Sequence, residues 1–580
     1  MGEQGDRRDG MRVDWDVPVT MDDGLVLRAD VFRPQARGRF PVVLSYGPYA
    51  KGLPFQVGYA TAWQQLAKEH PDALRGSSNQ YQSWEVADPE KWVPDGYVCL
   101  RVDGRGWGRS PGFVDPFSPR ETRDLYGCIE WAGVQPWSSG KVGLLGISYY
   151  AINQWHVAGL QPPHLAAMIP WEGFGDFYRD CNYHGGIRST SQEVWYGRVI
   201  ASVQHGRGER GPVNPNTGEL AMGPETLPDE ELAANRIDLI GELQSHPLDG
   251  PFYRERSADW PRVVVPFLSS GNWGGHGMHL RGNVEAFVRA ASPRKWLEIH
   301  GGAHWAEFYT DYGVTLQKRF FAHFLKGVDN GWDRQPPVHL RVRHPDRFVD
   351  RDEFEWPLAR TRWTRLHLNP ALTLDSEPVA EAATVSYEGM GEGVTFVTHP
   401  FPEETEITGP VLAHLFVSSS TSDADLFGVI RVFSPNGEEV VFQGAVDPHC
   451  PVGQGWLRVS HRKQDPALST PHQPHHTHDE IQPMTPGEIY EVSVEVWPTC
   501  IVLPAGYRLA LSVQGRDYES PGAPTRLSHF AGSDLRGSGI YLHNDPHDRP
   551  PGIYGGRITL HLGGPHDAYL QVPIVPGPGQ

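Results

Sequence analysis

The sequence predicts a mostly parallel, doubly wound α/β sheet with a helical cap insertion, followed by an all-β jelly roll. Three observations carry this. From residue 24 to about 350, apolar strand-like runs alternate with segments of helical spacing, the rhythm of a parallel sheet covered on both faces. Between 174 and 262 that rhythm stops, and turn-rich polar text with helical pieces takes its place. Beyond about residue 350 only short alternating strands with turns between them remain. A chain of 580 residues is in any case too long for one core.

Taken in order, "LVLRADVFRP" alternates apolar and polar residues, and "FPVVLSYGPY" is a buried run; both read as strands within 24–50. "GYVCLRVDGRGWGRS" (96–110) is a buried strand ending in a Gly-rich loop. Residues 120–134 have helical spacing at Leu125, Ile129 and Trp131. A strand over 141–146, a helix over 149–160 and a strand over 164–173 follow. The segment 174–262, with "RGERGPVNPNTGE" and "PDEELAANRIDLIGELQ", reads as a cap over the carboxyl ends of the strands. Strand 262–272, a helix near 278–291, strand 294–305 and an amphipathic helix over 315–327 complete the first region, placing the catalytic-type domain in 1–173 and 263–350. "VLAHLFVSSS", "IYEVSVEVWPT" and "RITLHLGG" are typical of the β-rich remainder, 351–580.

The formal net charge of −19 excludes a phosphate-binding surface, so no nucleic-acid partner is expected. No apolar run is long enough to span a membrane, and the polar start "MGEQGDRRDG" does not read as a secretory signal. Five scattered cysteines without a CxxC pair fit reduced thiols in a cytoplasm. Homo-oligomerisation is left open by the sequence.

Within "GLLGISYYAINQW" (143–155), Ser148 stands where a buried strand turns into a helix. Parallel α/β sheets bind ligands at such strand ends. A nucleophile elbow needs small neighbours, because the turn is strained. Gly146 meets this need; Tyr150, where G-x-S-x-G has its last glycine, does not, and Ala151 is small one position later. The other reading is an ordinary turn with Ser148 as helix N-cap. A serine nucleophile requires a base, and His304 in "IHGGAHWAEF" follows the last predicted strand, where such a histidine belongs. His300 lies inside that strand and is expected to pack.

"DGYVCLRVDGRGWGRSPG", "CIEWAGVQPWSSGKVGLLGISYYAINQW" and "SYGPYAKG" together resemble the cocaine-esterase-like family of α/β hydrolases, which also holds X-prolyl dipeptidyl peptidases and α-amino acid ester hydrolases. "GWLRVSHRKQDP" and "LPAGYRLALSVQG" resemble its C-terminal jelly roll, so the likeness covers most of the chain apart from the cap. The resemblance implies a serine hydrolase working through an acyl-enzyme on an ester or amide of a small molecule, without a cofactor. It also implies an oxyanion hole made of the Tyr49 hydroxyl and the Tyr149 N–H. In the family, a Tyr and then an apolar residue follow the serine, with the small residue third; Tyr150 and Ala151 agree with that.

The chain departs from the family at the triad acid. Gly274 and Gly275 in "SGNWGGHGMHLRGN" stand where Tyr and Asp are expected. Three alternatives are open: Glu172 in "IPWEG", at the end of the strand after the nucleophile helix; Asp176 in "GFGDFYRD"; or no acid at all. Glu307 and Asp311 are minor candidates. Trp171, Trp273 and Trp305 flank the predicted catalytic loops and are expected to line a substrate pocket. An X-prolyl-type aminopeptidase or amidase is the alternative activity, and a non-catalytic binding protein the alternative class. The histidines of "HQPHHTHDE" (472–480) and the acids of "SDADLF" (422–427) have no spacing that fixes a metal geometry, so no metal is assigned.

Overall fold

The computed structural model describes residues 6–577, so the first five residues of the polar N-terminal stretch lie outside it. Its first sheet has eleven strands: β1 (Asp6–Arg8), β2 (Met11–Thr20), β3 (Val26–Pro34), β4 (Phe40–Gly47), β5 (Val98–Asp103), β6 (Ser138–Ile147), β7 (Leu165–Trp171), β8 (Phe267–Asn272), β9 (Lys295–His300), β10 (Val338–Arg343) and β11 (Phe348–Glu353), in spatial order β1-β2-β3-β5-β4-β6-β7-β8-β9-β10-β11. The run from β5 to β10 is parallel throughout. Antiparallel strands flank it on both sides. The expected boundary at 350/351 falls inside β11, which pairs with β10 in this sheet.

The helices begin where local chemistry tells them to. Helix α1 (Pro119–Gly133) has Ser118 as N-cap, accepting the Glu121 N–H at 3.3 Å, and Pro at its first position. Its buried Leu125, Cys128, Ile129 and Ala132 recur at helical spacing and pack in one cluster with Val142 and Leu144 of β6. Helix α2 (Tyr149–Ala158) is buried along its whole length, and α3 (Leu280–Arg289) follows β8. Helix α4 (Asp311–Lys326) is capped by Thr310 and stopped by Gly327 at φ 71°.

Between β7 and β8 the chain leaves the sheet, forming short helices and a two-stranded ribbon, Tyr183–His184 with Ile187–Arg188. A second eleven-stranded sheet runs from residue 362 to 575. Its strand Tyr569–Val575 pairs with both Arg362–Leu368 and Thr405–Ser419, which closes the β-rich domain on itself. Among the described residues no helix is long and apolar enough to cross a membrane.

Candidate active site

Ser148 sits at φ 54°, ψ −113°, a conformation costly for a non-glycine residue and typical of a side chain presented by a forced turn. Its N–H is held by the carbonyls of Trp171 and Glu172 on the neighbouring strand end, both at 3.1 Å. The neighbours explain the shifted small residue. A Cβ at Gly146 would lie 2.3 Å from Tyr150 Cβ, and one at Gly173 would lie 2.8 Å from Ala151 Cβ. The crowding at the third position after the serine is therefore against Gly173, which Ala151 satisfies.

Two histidines and two glutamates surround this serine. Glu172 ends β7 at φ 50° and is fully buried. Its Oε2 lies 2.7 Å from His304 Nδ1; its Oε1 lies 3.0 Å from His300 Nε2 and accepts from Asn272 Nδ2 at 3.2 Å. Burial alone would raise the Glu172 pKa, but the two histidines outweigh it and hold the carboxyl well below the ordinary range. The His304 ring has a carboxylate at each nitrogen, with Glu85 Oε1 3.1 Å from Nε2. Burial opposes its charge, yet Glu172 and Glu85 raise its pKa to about 10. The Ser148 hydroxyl meets a different ring, His279 Nε2, at 3.2 Å. His279 stacks on His304 with centroids 4.9 Å apart and planes 8° from parallel. Burial and the neighbouring His304 lower the His279 pKa to about 3, so it is neutral.

These groups open on one cleft of about 630 Å³, a volume that includes its mouth to solvent. Ser148, Glu85, His279 and His304 form its polar wall; Tyr59, Trp84, Phe117, Trp195, Trp305 and Ile540 are among its apolar walls. Tyr49 lines it too, its hydroxyl accepting from Trp195 Nε1 at 3.1 Å. The loop bearing Tyr49 is tied down two residues later by Lys51, whose N–H donates to Asp103 at 2.7 Å and whose buried ammonium meets Asp16, Asp30 and Asp103. The Tyr149 N–H opens α2, where no intrahelical acceptor exists. The Tyr149 side chain turns away and donates to Glu121.

Other expectations are corrected here. Asp176 does not reach His304; it accepts the N–H groups of Tyr178 and Arg179 and pairs with the Arg179 guanidinium at 2.8 Å. Glu307 pairs with Arg341, and Asp311 with Arg75. Of the three tryptophans only Trp305 lines the cavity. Trp171 is buried against His300 and Phe308, and Trp273 packs near Trp356 and donates to the Arg341 carbonyl at 2.9 Å. Both belong to strand ends, whose side chains alternate between the faces of the sheet. His300 does more than pack, bridging Glu172 and Glu298. Asp425 is satisfied by Arg458 and Arg549, and Asp423 accepts from Ser460, so neither acid is free for calcium. In the His-rich segment, His472 stacks on Trp363 while His478 meets His461 at 3.1 Å.

The glycine at the expected tyrosine position has a steric cause. A Cβ on Gly274 would lie 2.3 Å from Gly444 Cα in the β-rich domain. The contact is bonded: Ala445 N–H donates to the Gly274 carbonyl at 3.0 Å, and the Ala445 carbonyl accepts the His304 N–H at 2.8 Å. Sequence reasoning missed Glu85, His279 and His529. Glu85 lies far from any motif, and His279 shares its loop with His276, which gives no spacing signal.

Glu172, His279 and His304 bring potential ligand atoms within 4.8 Å of one another. They do not suit an ion well. Glu172 and His304 are already hydrogen-bonded, and near-parallel stacked rings aim their in-plane lone pairs side by side rather than at one point.

A family model described as X-Pro dipeptidyl-peptidase (S15 family) matches residues 23–306, and one for the X-Pro dipeptidyl-peptidase C-terminal non-catalytic domain matches 330–571. The crystal structure of a CocE/NonD family hydrolase from Staphylococcus aureus superposes with a TM-score of 0.83 at 32% identity, covering 97% of this chain and 94% of that one. The chain belongs to the cocaine-esterase-like family of α/β hydrolases. Cocaine esterase of Rhodococcus sp. is 24% identical over 587 residues, 87% of this chain and 90% of its own. A putative Xaa-Pro dipeptidyl-peptidase of Streptomyces avermitilis is 21% identical, over 73% of this chain and 68% of its own. This cocaine-esterase-like chain is therefore a serine hydrolase acting on ester or amide bonds, with the family's β-rich C-terminal domain. A purely non-catalytic binding role is set aside.

Proposed function

We propose that the protein cleaves a small-molecule ester, or an activated amide, through an acyl-enzyme on Ser148. His304 takes the serine proton and passes it to the leaving group, Glu172 orients and charges His304, and the Tyr49 hydroxyl with the Tyr149 N–H stabilises the oxyanion. Water then enters, gives its proton to His304 and releases the acid. The observation that supports this most is the 2.7 Å contact between Glu172 and the only cavity histidine bonded to a carboxylate, beside a serine in elbow conformation. Residues 174–262 act as the cap in this reading, contributing Trp195 and Gln192 to the cavity. The reading also places the enzyme in a cytoplasm, in line with five buried free thiols.

An aminopeptidase would have to bind a substrate ammonium with a carboxylate. Glu85 lines the cavity, but its Oε1 is committed to His304, so esters are preferred in this reading. A fluorophosphonate probe tests the proposal. Wild type should label and Ser148→Ala should not; equal labelling of the two would overturn it. A panel of esters and matched amides then ranks the substrates by kcat/KM.

A further inference from the structure

Glu85 is the feature of this site that the reaction above does not use. It is buried at φ 63°, and its backbone carbonyl accepts the Ile147 N–H at 3.0 Å, one residue before the nucleophile. Its Oε1 takes up His304 Nε2, the nitrogen that must accept the Ser148 proton. Its Oε2 is buried as well, with the neighbouring Trp84 side chain bonded to the carboxylate. An imidazole nitrogen has one in-plane hydrogen or one in-plane lone pair, so Nε2 serves Glu85 or Ser148, not both. Consistent with that exclusion, the Ser148 hydroxyl rests on His279 instead.

We propose that Glu85 is a positioning residue that competes with Ser148 for His304 Nε2 and receives the proton that must leave this nitrogen before the serine is activated. The inference rests on the Ser148–His304 reading above. In the resting enzyme both ring nitrogens of His304 carry hydrogen, each donated to a carboxylate. When substrate fills the cavity and excludes water, the buried ion pair becomes more costly than its neutral form. The Nε2 proton then moves to Glu85 Oε1, leaving a carboxylic acid and a neutral imidazole, still bonded through Nδ1–H to Glu172. The freed Nε2 lone pair accepts the Ser148 proton as the Oγ–C bond forms. That proton goes to the leaving group as its bond to carbon breaks. Water restores it to Nε2 while adding its oxygen to the acyl carbon, and Nε2 returns it to Ser148 Oγ as the acyl bond breaks. Glu85 keeps its own proton until the products leave, so the cycle needs no other reactant.

The surroundings suit such an exchange. Burial raises the Glu85 pKa to about 7, against the hydrogen bond and charge of His304. The groups facing the pair come from four directions: Glu172 after β7, His279 before α3, Tyr59 and Tyr309 beside Glu85, and His529 from the β-rich domain. Tyr49, Tyr150 and Tyr541 face Glu85 as well. The tyrosines, His279 and His529 are neutral, so the other charges beside the pair are Glu172 and the His300 imidazolium bonded to it. Removing the Glu85 charge therefore leaves His304 with one carboxylate instead of two, and its proton becomes easier to lose.

The test is the pH dependence of kcat/KM and of the fluorophosphonate labelling rate in wild type, Glu85→Gln and Glu85→Asp. Glu85→Gln cannot take the proton, so its acidic limb reports loss of the His304 proton to solvent instead of protonation of Glu85, and in both profiles it should stand about 1 unit or more from the wild-type limb. Glu85→Asp, which keeps a carboxylate and suits a positive φ, should return the limb toward wild type. Profiles that superpose after scaling would overturn the proposal and leave a structural role. Nitrogen-15 histidine spectra give a second test. Near neutral pH two imidazoles, His300 and His304, should be protonated at both nitrogens and bonded at Nε2 to a carboxylate, and one of these two signals should vanish in His304→Gln. A singly protonated His304 would also overturn the proposal. If Ser148→Ala still labels, the underlying reading has failed; if only the Glu85 profiles superpose, this inference alone has.

Discussion

Glu172 Oε2 lies 2.7 Å from His304 Nδ1, although the two residues follow strands β7 and β9, which β8 separates. In the proposed triad the acid stands one strand nearer the nucleophile than the loop after β8, where the family resemblance locates it. The twist of a parallel sheet brings alternate strand ends close enough for a carboxylate and an imidazole to meet.

Glu172→Gln should lower kcat by roughly 10⁴-fold with little change in KM, the loss seen when a triad acid becomes an amide. Asp176→Asn should leave kcat within a few-fold, because that carboxylate caps a helical turn, and cost about 1 kcal/mol in thermal unfolding. The reverse pattern in steady-state kinetics would transfer the role to Asp176.

The two histidines should separate in the same assay. His304→Gln is expected to lose kcat/KM by more than about 10³-fold. His279→Gln keeps a polar partner for Ser148 and should lose far less. A larger loss at His279 would make that ring the base.

Tyr49→Phe removes one proposed oxyanion donor and leaves the ring in its aromatic surroundings. Its kcat should fall by about 10²-fold to 10³-fold, with KM nearly constant. An unchanged kcat in single-turnover measurements would remove Tyr49 from the mechanism.

Glu121 predicts a pH effect on stability. Burial raises its pKa to about 8, against the hydrogen bonds from Tyr149 and the Phe117 N–H. The folded value lies above the unfolded value of about 4.3. The protonated form thus favours the fold, fully below the unfolded pKa, and this stabilisation is lost as pH rises through about 8. Glu121→Gln does not titrate. The Tm of wild type minus that of Glu121→Gln should fall between those limits and level off above them; a difference independent of pH would contradict this.

Gly274→Ala tests the crowding against Gly444. Overpacking of this kind costs about 1–3 kcal/mol, and denaturant unfolding should show it.

Much of this was legible in the residues. Apolar runs located the parallel strands, and the spacing of Leu125, Ile129 and Trp131 located α1; its Ser118 cap became visible only in the structure. The elbow was legible because strain restricts its neighbours. Glu172 was reached by strand-end logic with Asp176 as the next choice, and the pairing of Asp176 with Arg179 was visible only in the structure. Glu85 and His279 were not legible. Each reaches the site through a loop whose path is set by tertiary packing, and a single buried acid or histidine has no periodicity. Trp171 and Trp273 misled for a related reason: closeness in sequence to a catalytic loop does not specify the face on which a ring emerges.

The bonded path from Gly274 through Ala445 to the His304 N–H makes the histidine loop a ledge that the two halves of the chain build together. The nucleophile belongs wholly to the first half; the seat of its partner histidine does not. During synthesis from the N-terminus, a chain that has formed its first sheet already displays Ser148 but still has an unsupported His304. On the proposed mechanism, hydrolytic competence is expected to arrive with docking of the β-rich half, and the molecule to be born silent.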